Sequence, residues 1–403
     1  MSTTRRVALG GLAVPFVLGL AERARAAEDG PVKIGLLSDL SSAYADISGP
    51  ALVQSVQMAA QDFGPCLGRP VEVVAADCQL KPDVSSSIAR RWWDNEGVDA
   101  IGDLPSSAVA LAIIELSREK KKIVLATSPG TAEITGKSCS PYTSHWVHDS
   151  YAVARTMAQA AMQQGGDSWY FIAADYVFGA SLVRDATEVI NSVGGRVVGT
   201  SRHPINTADF SSFLLQAQSS GAKVIGLANG GNDTVNCIKQ AAEFGLRERG
   251  QTLAALVLMD PDVHSIGLPS AQGTLLSTAF YWDRTEASRA WSRRFFALVK
   301  RMPTMLQAGA YSQVTHYLRA VQAAGTKSSE PVMRTMREMP IKDFFADSGT
   351  LRPDGRMVHD MYLAQVKSPA QSRETWDQFN LIATVPGADA FRPISAGGCP
   401  LVR

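Results

Sequence analysis

A chain that alternates short β-branched runs with helix-period segments has few ways to bury its apolar surface, and a parallel sheet covered by helices is the main one. Val32-Lys33-Ile34-Gly35-Leu36-Leu37 is a short apolar run. A polar loop, 38–50, follows it and carries one aromatic, Tyr44. Val53, Val56, Ala60 and Phe63 then fall on one face of a helix. The unit repeats. Val71–Ala76, 99–102 and Lys122–Ala126 read as strands, and helical patterns follow the first two. Ligands of open parallel sheets sit beyond the carboxyl ends of the strands, so the hydroxyl-rich loop 38–50 reads as a binding loop.

The rhythm breaks at Pro141–Asp149 and resumes with a helix at Tyr151–Gln164. Strands are expected at Ser168–Ala173, Arg196–Thr200, Lys223–Ala228 and Leu253–Met259, with helices between them. Leu275–Tyr281 reads as a strand running into a crossing. Long helices follow at Glu286–Lys300 and Gln307–Ala324, a third at Val332–Met339, and two last strands at Tyr362–Val366 and Gln378–Ala383. The fold class expected is α/β, with two Rossmann-like doubly wound lobes.

Hydrophobic residues make up 45% of the 403 and charged ones 19%, a globular balance. Arg5-Arg6, the apolar stretch Val7–Leu20 and Ala24-Arg25-Ala26 form a signal peptide over 1–26. Thr4-Arg5-Arg6-Val7-Ala8-Leu9 resembles a twin-arginine motif, although Ala8 stands where that motif prefers Phe. Those 26 residues carry a net +3 of the chain's +1, which leaves the mature chain at about −2. That balance gives no footprint for nucleic acid. Of five Cys, Cys66 and Cys78 bracket a strand and lie too far apart to bond. Cys237 sits on an apolar helix face. Cys139 and Cys399, both in Pro-bounded loops, are the candidate disulfide.

Candidate contacts lie mostly at strand ends. Ser106 and Ser107 open a helix, either as caps or as donors to a carboxylate. Trp146 is a candidate wall for an apolar ligand body, as are Tyr44, Tyr176 and Tyr281. Asn229 belongs to a Gly-rich loop that lets backbone approach closely. Asp46, Asp260 and Asp262 are the carboxylates that could meet a ligand ammonium, the last two equally readable as turn residues. His145 and His148 do not make a metal pair on an extended segment, and no catalytic signature or cofactor motif occurs.

Val-Lys-Ile-Gly at 32–35, the Ser-Ser loop, Gly49-Pro50 and the Ala59 to Asp62 helix end resemble the leucine–isoleucine–valine-binding family of type I periplasmic solute-binding proteins. The likeness extends from about Val32 to Phe391. It implies three crossings between lobes. Lobe one would be 31–145 with 281–348, lobe two 146–280 with 349–390, and 391–403 a tail. It also implies that Ser128, Gly130 and Thr131, in the loop after the fourth strand, meet the ligand, together with Tyr176 or Phe178 and one of Asp260 and Asp262. The chain departs from those relatives in having Pro105 before its serines and no Cys there. The expectation is a monomeric periplasmic component of an ABC importer that closes on a small carboxylate, an amino acid or an aromatic or aliphatic acid, and engages a membrane permease. A periplasmic sensor for a signalling receptor, or a secreted enzyme on the same fold, are the alternatives.

Overall fold

The computed structural model of the chain describes residues 30–163 and 165–402. The expected signal peptide over 1–26 lies outside the described residues.

Two sheets organise the molecule. The first has the order β2-β1-β3-β4-β5, from Val71–Asp77, Val32–Ser38, Ala100–Asp103, Ile123–Ala126 and Thr143–His145, all parallel. The second has the order β14-β13-β10-β9-β8-β6-β7. Its parallel part comprises β6 (Ser168–Ala174), β7 (Arg196–His203), β8 (Val224–Ala228), β9 (Thr252–Ala255) and β10 (Leu275–Thr278). A two-stranded ribbon, β11 (Thr350–Leu351) and β12 (Met357–Val358), precedes β13 (Met361–Val366) and β14 (Phe379–Val385), which add antiparallel to the larger sheet. Strands β3, β4, β6 and β8 are buried at every position, as helices on both faces require.

The chain passes from the first sheet to the second after β5, returns after β10, and passes back before β13. Between the last two passages the helices Glu286–Val299 and Met305–Ala324 cover the first sheet. The second of them lies against helix Gly49–Phe63, where Ser55 Oγ donates to the Gln307 carbonyl at 2.6 Å. Each sheet has one switch point, where strand order reverses: between β1 and β3, and between β6 and β8. The loops leaving those strands face one another across the molecule.

Several elements differ from their expected form. The aromatic break Pro141–Asp149 contains β5, whose three residues are fully paired along β4. Strand β9 stops at Ala255 and β10 at Thr278, short of the apolar runs that suggested them. In both cases the remaining apolar residues are core loop, since Leu256, Leu258 and Phe280 are all buried. Asp260-Pro261-Asp262 opens the helix Asp260–Ile266, with Pro at its first turn and Asp262 accepting the Met259 N–H at 2.9 Å. The tail is anchored. Phe391 is buried, Arg392 pairs with Asp185 and Glu188 at 3.1 Å, and Cys399 is bonded to Cys139 with Cα atoms 5.6 Å apart. Cys66, Cys78 and Cys237 are free and buried.

Candidate functional site

The site lies where the two switch points meet. Tyr44, Ile47 and Ser48 come from the loop after β1, Pro105 from that after β3, and Ser128 and Gly130 from that after β4. The second sheet supplies Tyr176 and Phe178 after β6, Gly230 after β8, and Val257 and Met259 after β9. His148 and Leu306 complete the wall. The side chains from the second sheet are apolar apart from the Tyr176 hydroxyl, so that wall suits an uncharged body.

Two phenols span the gap. The Tyr44 and Tyr176 hydroxyls hydrogen-bond to each other, one from each lobe. Burial, the largest influence, pushes Tyr44 up to about 12 and Tyr176 well above the ordinary tyrosine value. Both are therefore neutral donors at pH 7. The lobes fit closely here. A Cβ on Gly130 would fall 2.1 Å from the Phe178 ring, and one on Gly231, whose φ is +59°, would fall 2.7 Å from the Ala43 carbonyl oxygen. Only hydrogen permits either approach. Thr131 Oγ1 meets Ser181 Oγ at 3.0 Å beside this contact, and Glu133 pairs with Arg184 at 2.9 Å at its rim.

A carboxylate stands one layer behind the lobe-one wall. Asp103 is fully buried, with φ at +72°, and its carboxyl accepts from Ser38 Oγ at 2.5 Å, Ser48 Oγ at 3.3 Å and Ser128 Oγ. Burial raises it to about 6 against the pull of those hydroxyls. His148 is buried with Nδ1 unpartnered among the described residues. Burial, then the nearby Arg356 charge, drops its value to about 3, so it is neutral. Arg356 itself is fully buried behind it, donating to the His148 carbonyl at 3.3 Å and pairing with Asp149 at 3.5 Å. The wall thus bears no formal cation. Helices nevertheless begin beside Pro105, Tyr176 and Gly230 without a side-chain cap, and their N–H groups favour an anion.

Of the residues expected from sequence, Tyr44, Ser128, Gly130, Tyr176 and Phe178 come together on this cavity. The others do not line it. Asp46 faces solvent, paired with Arg301 at 2.9 Å. Trp146 is fully buried against the helix Met305–Ala324, its Nε1 donating to Ser312 at 3.1 Å and its ring beside His316. Tyr281 spends its hydroxyl on the 376–379 segment, accepting the Gln378 N–H at 3.1 Å. Asn229 is locked by Thr234 at 2.7 Å and His203 at 3.1 Å. Thr131 bridges the lobes, as above. Ser106 is the N-cap position without a capping bond, and Ser107 Oγ is buried without a partner among the described residues. Asp262 caps its own helix, and Asp260 is buried beside it. Residues the sequence did not single out are Ile47, Ser48, Leu306, Val257, Met259 and, behind them, Asp103. The last had one signal available, a carboxylate ending the apolar strand β3 directly before the loop 104–106.

The periplasmic binding protein family profile matches residues 31–372. A periplasmic binding protein from Burkholderia mallei is 46% identical, with a TM-score of 0.90, 93% of this chain and 100% of that one covered. A branched-chain amino acid ABC transporter periplasmic ligand-binding protein from Burkholderia xenovorans is 39% identical, TM-score 0.85, with 92% and 99% covered. A solute-binding protein of an ABC transporter from R. palustris, solved with benzoate, is 19% identical, TM-score 0.82, with 92% and 100% covered, a likeness of fold alone. No curated protein matches the chain.

Proposed function

The chain belongs to the periplasmic binding protein family, and we propose on that footing that its lobes close on a small carboxylate held between Tyr44 and Tyr176. It is a periplasmic solute-binding component of an ABC importer. The observation that carries the site is the meeting of two neutral phenol donors, one from each lobe, inside a cavity with an apolar wall. Two such hydroxyls can both turn to one carboxylate, giving charge-assisted hydrogen bonds that form only when the lobes are shut. The helix N-termini around the cavity add to that preference. Phe178, Leu306 and Val257 offer area to an apolar body, and Gly130 and Ser128 offer the lobe-one edge.

Names of relatives narrow the class to try. One carries branched-chain amino acid in its name, and another was solved with benzoate. Binding without turnover, a monomer, engagement of a membrane permease by both lobes, and export by the twin-arginine route are further parts of this reading. So are the lobe boundaries, 31–145 with 281–348 and 146–280 with 349–390, which the partition of strands between the two sheets supports. A thermal-shift screen tests it, with branched-chain amino acids, benzoate and hydroxybenzoates each set beside its primary amide. Carboxylates should raise the melting temperature and the amides should not. Equal shifts for acid and amide, or none for either, would overturn the carboxylate assignment.

A further inference from the structure

We propose that the cavity reads a second polar group on its ligand, a hydrogen-bond donor such as an ammonium or a hydroxyl, through the Ser128 and Ser48 oxygens backed by Asp103. The inference rests on the cavity assigned above. A hydroxyl has one proton and two lone pairs. Ser128 commits its proton to Asp103 Oδ1, and Ser48 commits its own to Asp103 Oδ2 at 3.3 Å. Both serines line the cavity. With their protons turned inward, what they present to a ligand is acceptor. Ser48 Oγ already receives the Gly49 N–H at 2.6 Å, whereas Ser128 Oγ has no donor among the described residues. Ser128 is therefore the main contact and Ser48 the lesser one.

The charge behind them has the same sense. Asp103 is buried with three hydroxyl donors, and no cation among the described residues forms an ion pair with it. The charge that acts on it is another carboxylate, Asp39, which is tied to the Ser42 and Tyr44 backbone N–H groups at 2.9 and 2.7 Å. A ligand donor at Ser128 would lie in the field of this unpaired carboxylate and gain from it. The ligand's own carboxylate would be held away from it, toward the Tyr44 and Tyr176 hydroxyls. The cavity is thus polar at two places of opposite demand. A simple alkanoate or benzoate satisfies only one of them.

Calorimetry on two ligand triads separates this inference from the carboxylate assignment. The probes are L-leucine, 4-methylpentanoate and isopentylamine, then 4-hydroxybenzoate, benzoate and phenol. In at least one triad the donor-bearing acid should bind about ten-fold or more tightly than the acid lacking the donor. In Ser128→Ala that ratio should shrink toward one, and Ser48→Ala should shrink it less. The leucine triad reports an ammonium and the hydroxybenzoate triad a hydroxyl. If the amine or phenol binds as tightly as its parent acid, the carboxylate assignment fails and the donor preference stands. If the acids lacking a donor bind as well as those bearing one, or the ratio survives in Ser128→Ala, the inference is wrong. No binding by any of the six would overturn both.

Discussion

Tyr44 and Asp46 stand two residues apart in one loop, and one points into the cleft while the other pairs with Arg301 at the surface. Backbone geometry decides this, because Asp39 holds the Tyr44 N–H at 2.7 Å and turns the loop. The same logic governs the buried acids. Burial raises Asp260 to about 8 and Asp262 to about 7, far above an ordinary carboxylate. A carboxyl whose folded value is raised is held protonated by the fold while the unfolded chain ionises. Its contribution is fully present below the unfolded value and is lost as pH rises through the folded one. For Asp260 the window runs from 3.8 up to about 8, with a slope of about 1.4 kcal/mol per pH unit. His148 and His359, depressed to about 3 and about 4, act oppositely but only below their ordinary value of 6.5. Between pH 6.5 and 8 the melting temperature should therefore rise as pH falls, and Asp260→Asn should flatten that rise. An unchanged slope in the variant would show that Asp260 is ionised in the fold. None of this burial was legible locally. Asp-Pro-Asp has the composition of a turn, and only the helix it opens, with the strands around it, takes it out of water.

At the scale of elements, the strand-to-helix loops were the legible part. Hydrophobic periodicity located the strands of both sheets apart from β5, and with them the loops that carry Tyr44, Ser128, Gly130 and Tyr176. It failed where an apolar run outlasts its ladder, as at Leu256–Met259, because burial in a loop and burial in a strand use the same residues. It also could not tell that Trp146 faces inward. The segment around it is extended, and one residue of register separates core from cleft. Leu306 reaches the cavity from a helix more than 200 residues along the chain from Tyr44, so no local pattern marks it. The close approach of Gly130 to Phe178 gives a test. Gly130→Ala places a methyl 2.1 Å from the ring, which must move or hold the lobes apart. Ligand affinity should fall about ten-fold or more, and trimming the ring in Gly130→Ala/Phe178→Leu should recover much of it. Undiminished affinity in the single variant would mean that closure does not bring these two residues together.

Across the whole molecule, the tail ties the lobes to one another. Arg392 pairs with Asp185 and Glu188 in the helix after β6, and seven residues later Cys399 is bonded to Cys139 beside β5. The bond closes a sequence separation of 260 residues. A loop of that length is worth up to roughly 5 kcal/mol in the chain-entropy description. Cys399→Ser, or reduction of the native protein, should lower the melting temperature by several degrees. Equal melting with and without the bond would show that the tail carries no load. The pairing itself was readable as two Cys in Pro-bounded loops, whereas the strap it makes across the lobes needed the fold.

The account turns on a ligand gripped from both sides at once, and calorimetry on Tyr44→Phe and Tyr176→Phe, with the tightest carboxylate from the screen, tests this most directly. Each change removes one hydroxyl from one lobe and leaves the ring. Each should weaken binding by about 1.5–3 kcal/mol, the worth of a hydrogen bond to a charged group. Weakening by neither variant would contradict the cross-cleft grip and put the carboxylate elsewhere.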